Sequence, residues 1–203
     1  NAKDGIDRFH ENLINHKNSI LKHIHSTIQY TGKEVKIPQD YQKLTDFQES
    51  DTQVMIIHGA AGAGKSAIVK DFLEAEQNQK EKITLMFTAS DLDVKEENLF
   101  LYDGSYSLQD LFGLYKNEEH RLCIIDSAEK YCTAKYPEVF GDILRQFLDH
   151  GWKVLITIRT FYKDTFCNTF LKNTTYSQQE IPKLKKETLT QINNQYPFVL
   201  PAD

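Results

Sequence analysis

Residues 59 to 66 read Gly59-Ala60-Ala61-Gly62-Ala63-Gly64-Lys65-Ser66 and follow the apolar run Val54-Met55-Ile56-Ile57, so a strand feeds a glycine-rich loop that ends in a cation and a hydroxyl. In the pattern G-x-x-x-x-G-K-[ST] the glycines let the backbone curl around a polyphosphate with its N–H groups pointing inward. The helix that begins around Ala67 adds the positive end of its dipole. Lys65 is placed to reach the β- and γ-phosphates, and the Ser66 hydroxyl to hold Mg²⁺. Residues 59–67 are therefore expected to bind the phosphates of a nucleotide as a P-loop. The alternative, a glycine-rich turn that binds nothing, has no use for the Gly-Lys-Ser ending.

Such a loop needs an acid at the end of a neighbouring strand to hold the metal ion, directly or through water. Asp126 follows Leu122-Cys123-Ile124-Ile125 and is the carboxylate that directly ends an apolar strand. The competing role is an N-cap, by Asp126 or Ser127, for the segment that follows. Glu129, three residues on, is suited to orient or deprotonate an attacking water, or is a solvated first-turn glutamate. Arg159 closes the run Ile156-Thr157-Ile158; there it either stabilises γ-phosphate charge or makes a surface salt bridge. The catalytic set is thus Lys65, Glu129 and Arg159, and the metal set Ser66 and Asp126. The seven histidines show no metal-binding spacing, and His58, beside Gly59, is read as a packing residue.

The elements that must position these groups follow from apolar periodicity. Strands are expected at Val54–Ile57, Ile83–Thr88, Leu122–Ile125 and Val154–Ile158, with a weaker one at Tyr176–Ile181. Between them lie a helix from Ala67 to Ala75, one opened by Ser107 and Asp110, and one carrying Val139, Phe140, Ile143, Leu144 and Phe147 that stops at Gly151. A short helix is expected from about 185 to 193. Upstream, Phe9, Leu13, Ile20, Ile24 and Ile28 share one face of a long helix from Asp4 to Tyr30, which either packs on the domain or links to another. A short helix then runs from Ile37-Pro38 to about Glu49. Alternating strands and helices with nearly continuous apolar central strands call for an α/β fold of three layers, a parallel sheet covered on both faces, with ligands at the carboxyl ends of its strands.

At 203 residues the chain holds one ordinary core, divided here into an N-terminal helical appendage, 1–36, and a P-loop NTPase domain, 37–203. Asn1-Ala2 reads as the remnant of a cleaved tag on a piece of a longer protein. A net charge of −5 lacks the signature of a nucleic-acid binder, so nucleic acid is not an expected partner. No run of 18 apolar residues and no signal peptide are found, which makes the cytoplasm the expected compartment. Cys123, Cys132 and Cys167 lack C-x-x-C spacing and read as reduced core or near-core residues.

A guanine-reading Asn-Lys-x-Asp is absent, and the strand that ends in Asp126 is followed at the third position by Glu129 rather than by the glycine of a D-x-x-G switch, which argues against a GTPase. Only Arg8, Arg121, Arg145 and Arg159 are present, which leaves a small-molecule kinase without the arginines of its lid. The chain resembles the STAND-type regulatory NTPases, NACHT-like and NB-ARC-like relatives of the AAA+ class. The likeness rests on Gly59 to Ser66, the Leu122-to-Glu129 block with its D-x-x-E ending, and Ile156-Thr157-Ile158-Arg159, which looks like that family's T-T-R sensor. It covers about residues 37 to 193. The resemblance implies a five-stranded parallel sheet in which the Asp126 and P-loop strands flank the Arg159 strand. It also implies an ATP/ADP switch with Mg²⁺, slow hydrolysis, nucleotide-dependent homo-oligomers, and flanking sensor and effector domains. Two features depart from the pattern: no glycine-arginine signature precedes the loop, where Ile37 and Pro38 would instead touch the base, and Ile158 stands where the second threonine would be. A nucleotide-dependent interaction module without turnover and a small-molecule kinase are the alternative functions; a DNA-loading motor, open through the same resemblance, gets no help from the acidic balance.

Overall fold

Strand β3 (Val54–Gly59) is buried along its whole length, as a strand must be when helices cover both sheet faces. In the computed structural model, which describes residues 2–30, 33–36, 39–76, 82–102 and 104–183 together with 190 and 194, it lies inside a five-stranded sheet. The order across that sheet is β4 (Lys82–Thr88), β5 (His120–Asp126), β6 (Lys153–Arg159), β3, β7 (Tyr176–Ile181), and every pairing is parallel. The expected α/β, three-layer, five-stranded fold is what the chain adopts, and the Arg159 strand does lie between the Asp126 and P-loop strands.

Period-two alternation sorts the strand side chains into two cores. Val54 and Ile56, Cys123 and Ile125, and Val154, Ile156 and Ile158 enter one, with Phe140, Phe147, Trp152 and Phe166 from the chain that follows β5. Met55 and Ile57, Leu122 and Ile124, and Leu155 enter the other, against Leu44 and Phe47 of α2 (Gln42–Glu49) and Ile68, Val69 and Phe72 of α3 (Lys65–Glu76). The helix α4 (Leu108–Leu114) opens on the Ser107–Asp110 capping box its sequence announces, and α5 (Pro137–Asp149) on a proline at its first turn.

Helix α1 (Ala2–His23) stops seven residues short of the expected end at Tyr30. Thr27–Tyr30 is instead strand β1, paired antiparallel with β2 (Lys33–Lys36), in a register that leaves residues 31 and 32 between them. Ile28 therefore belongs to a hairpin; its spacing from Ile20 and Ile24 coincides with a helical period, but strand-favouring Thr27, Ile28 and Tyr30 precede a Thr-Gly pair and form a ladder instead. Phe9 and Leu13 of α1 are buried in the first core, with Phe9 stacked on Tyr106 at 3.9 Å, while Ile20, Leu21 and Ile24 pack on the second. The helix thus lies on the domain's own surface. A further helix, α6 (Thr160–Phe170), was not anticipated. The expected helix at 185–193 falls outside the described residues apart from 190, as do Ile37 and Pro38. Cys123 and Cys167 are buried and Cys132 is exposed, contrary to its expected near-core place.

Candidate functional site

Parallel pairing brings the carboxyl ends of the central strands into line: Gly59 is level with Arg159 on one side and Ile181 on the other, and Thr88 with Asp126. The loop after β3 turns there into α3. At Gly59 a side chain is excluded because its Cβ would sit 2.5 Å from the Ile181 carbonyl oxygen, and at Gly64 the backbone holds φ at +97°. Gly59→Ala is expected to lower stability by about 1–3 kcal/mol through this overlap with a strand backbone that cannot retreat freely. A thermal melt checks it, at roughly 2–4 °C per kcal/mol for a chain of this size; an unchanged midpoint would show that β7 moves aside at no cost.

Ser66, on the first turn of α3, donates its hydroxyl to Asp126 Oδ1 at 2.7 Å. The same oxygen accepts from Thr157 Oγ1 at 2.7 Å, and Oδ2 accepts from Ser127 Oγ at 3.1 Å, so this buried carboxylate is met by three hydroxyls. Thr157 in turn accepts from the Ser127 N–H at 2.9 Å. Ser127 adopts a left-handed conformation, φ 58°, and makes no side-chain capping bond, so the N-cap alternative for this segment does not describe it. That strained residue turns the chain off the end of β5 and into the 3₁₀ turn Ala128–Thr133 that carries Glu129.

Glu129 Oε1 pairs with Arg159 Nε at 2.9 Å, and its buried Oε2 has no hydrogen-bond partner. Arg159 is half-exposed and begins the turn into α6. Lys65 folds back onto its own loop, donating to the carbonyls of Gly59 (3.3 Å) and Ala60 (2.9 Å). Burial lowers its ammonium below the ordinary lysine range; Arg159 pushes the same way, while Glu129 and Asp126 oppose it. Lys65, Ser66, Asp126, Glu129 and Arg159 all line one cleft of 720 Å³, with Ala61, Gly62, Gly64 and Ala67 of the loop and helix. His58 lies beneath, buried and bonded to Thr160 Oγ1 at 3.1 Å, its imidazole kept toward the neutral form by burial and by Lys163.

The cleft also holds residues that were not anticipated. Thr88 lines it, level with Asp126 across the β4–β5 pair, and Thr157, buried behind the lining, is the hydroxyl that anchors Asp126. A threonine within the otherwise apolar run of β6 was the available signal, because a buried hydroxyl requires a partner. Ile20, His23, Ile24 and His25, from the end of α1, form another wall of the cleft, and nothing in their spacing announces it.

No protein-family profile matches the chain, and no curated protein matches it. Solved structures do resemble it. The Drosophila ORC bound to DNA superposes with a TM-score of 0.54 at 16% identity, over 76% of this chain and 44% of that one. AMPPCP-bound DnaA from Aquifex aeolicus gives 0.52 at 15% identity over 79% and 51%. The S. cerevisiae Hsp104–ADP complex gives 0.51 at 11% over 75% and 23%. At these identities the likeness is one of fold alone, the α/β arrangement of helices about a parallel sheet. The chain spans about half the length, or less, of these structures. In an open α/β sheet of this kind the cleft at the carboxyl ends of β3, β5 and β6 is where a ligand is sought on general grounds as well. Among the described residues no helix is long and apolar enough to cross a membrane.

Proposed function

We propose that this chain is an ATP-binding, slowly hydrolysing regulatory NTPase module of the STAND type, part of a multidomain signalling or defence ATPase. The observation that carries the reading is the Ser66–Asp126–Thr157 cluster beside Lys65, in a cleft whose 720 Å³ lies within the usual range of small-ligand sites. The N–H groups of residues 59–67 and the start of α3 receive the phosphates. Lys65 exchanges two carbonyl partners for phosphate oxygens. Ser66 and Asp126 offer hard oxygen donors 2.7 Å apart, of the kind that suits Mg²⁺, and these two residues would hold the ion. An ion held by Ser66 and Asp126 would supply positive charge against the phosphates.

Glu129 then acts on the attacking water, holding it in line and accepting its proton. Arg159 turns its guanidinium from Glu129 to the γ-phosphate, so that one movement frees the base and stabilises the charge that develops. Two of the structures that share the fold are nucleotide complexes, DnaA with AMPPCP and Hsp104 with ADP. Flanking sensor and effector domains, and a nucleotide-dependent homo-oligomer, belong to the same reading. A second reading, an interaction module that binds nucleotide without turnover, is favoured by one observation: Glu129 is held in an ion pair.

Calorimetric titration with ATP, ADP and GTP, with and without Mg²⁺, tests the proposal. Saturable binding that prefers ATP and ADP to GTP and strengthens for ATP with Mg²⁺ is the expected result. A folded chain that binds none of them, and releases no nucleotide on denaturation, would remove the assignment.

A further inference from the structure

The wall of the cleft built by α1 has a chemistry of its own. Among the charged side chains that line the cleft, Lys65 and Arg159 offset Asp126 and Glu129, so the lining is formally neutral before a polyanion enters. The remaining titratable groups of the lining are the imidazoles of His23 and His25, both exposed to solvent. Their place is fixed by packing. Ile20 and Ile24 lie against the second core, Lys70 of α3 donates to the Ile24 carbonyl at 2.8 Å, and His16, farther up the helix, pairs with Asp91 at 3.2 Å. Asp91 itself accepts from the Thr88 hydroxyl at 2.9 Å, so α1 is tied through it to a residue of the cleft.

His23 Nδ1–H donates to the Ser19 carbonyl at 2.7 Å. That bond leaves Nε2 as the free nitrogen, an acceptor in the neutral ring and a second donor in the imidazolium. The end of α1 lines the cleft with Ala61, Gly62 and Gly64 of the loop as well as with Ser66, Thr88, Asp126 and Glu129; α1 packs against β4, which ends in Thr88 and lies on the side of β5 away from β3, whereas Gln39 approaches the loop near Gly64.

We propose that His23 and His25 are contacts for the terminal phosphate of a bound nucleoside triphosphate, so that protonation of this pair gives the cleft its net positive charge and makes triphosphate binding tighter in mild acid. This rests on the nucleotide reading above and adds to it an element that the P-loop pattern does not contain. The charged groups around the pair are Lys22 on α1, Lys65 and Lys70 on α3, Asp126 at the end of β5, Glu129 in the turn after it, and Arg159 at the end of β6. Imidazole is the side chain whose charge ordinarily changes between about pH 5 and pH 8, so a change of affinity across that window that disappears with the imidazoles reports the histidines.

The experiment is titration of the chain with ATP and with ADP at saturating Mg²⁺, at about pH 6 and about pH 8, beside His23→Gln/His25→Gln. One linked proton limits the slope to about tenfold per pH unit, and the expected weakening of ATP binding between the two conditions is about tenfold. For ADP it is smaller. In the double variant the ATP difference falls to within about twofold, which also subtracts any proton uptake by the nucleotide itself. Should the double variant fail to fold, His25→Gln alone, an exposed change outside the helix, must remove part of the difference. ATP binding that needs Lys65 but shows the same pH dependence in wild type and variant overturns the role of the histidines and leaves the nucleotide reading standing. A folded chain that binds no nucleotide at either pH removes both.

Discussion

Lys65→Ala is expected to weaken ATP binding by about 100-fold or more. A hydrogen bond to a charged group contributes roughly 1.5–3 kcal/mol, and two phosphate contacts would together set an upper range near 3–6 kcal/mol. The free chain already uses the ammonium on the Gly59 and Ala60 carbonyls, so binding exchanges partners rather than gaining them all, and the lower end is the sounder expectation. At about 1.4 kcal/mol per decade, 3 kcal/mol is about 100-fold. Burial adds to this, because an ammonium already held partly out of water gains from a polyanion at close range. Calorimetry with wild type and variant measures the ratio, and circular dichroism separates lost affinity from lost fold. Equal affinity in a folded variant would mean that residues 59–67 do not hold the phosphates.

Glu129→Gln is expected to lower phosphate release by roughly 10²–10⁴-fold while leaving ATP bound. The amide keeps the shape of the side chain but cannot accept the proton of the water. It also gives up the charge that holds Arg159 at 2.9 Å, so the guanidinium becomes free for the γ-phosphate and ATP affinity stays level or rises. Single-turnover release of labelled phosphate, with binding measured in parallel, separates the two effects. Equal release rates for variant and wild type would take the water-activating role from Glu129 and favour the module without turnover. A parallel loss of binding would assign Glu129 to ligand contact instead.

Much of the fold was legible because its strands are buried on both faces. Val54–Ile57 and Leu122–Ile125 are apolar without alternation, and Val154–Ile158 is so but for Thr157, a pattern that a half-exposed strand does not support. The capping box at Ser107 and Asp110 was readable for a similarly local reason. Where the expectation failed, at Ile28, a spacing of four fitted a helix equally well, and the choice was made by pairing between Thr27–Tyr30 and Lys33–Lys36. Helix α6 was missed because it follows Arg159 with Thr160, Phe161 and Tyr162, poor helix formers whose preference is overridden by the burial of Phe166 and Cys167.

The sequence by itself determined the phosphate loop, the strand that feeds it, and an acid at the end of another strand, because each depends on residue types within a few positions of one another. Only the tertiary structure decided what meets there. Parallel pairing of β6 between β3 and β5 sets Arg159 level with Gly59 and places the Thr157 hydroxyl on Asp126, across sequence separations that no local pattern encodes. It also decided that Glu129 spends its charge on Arg159, and that the end of α1, about 40 residues before the loop in the sequence, brings two imidazoles to the same cleft. Those contacts follow from packing two cores on opposite faces of one sheet, which periodicity can require but cannot arrange.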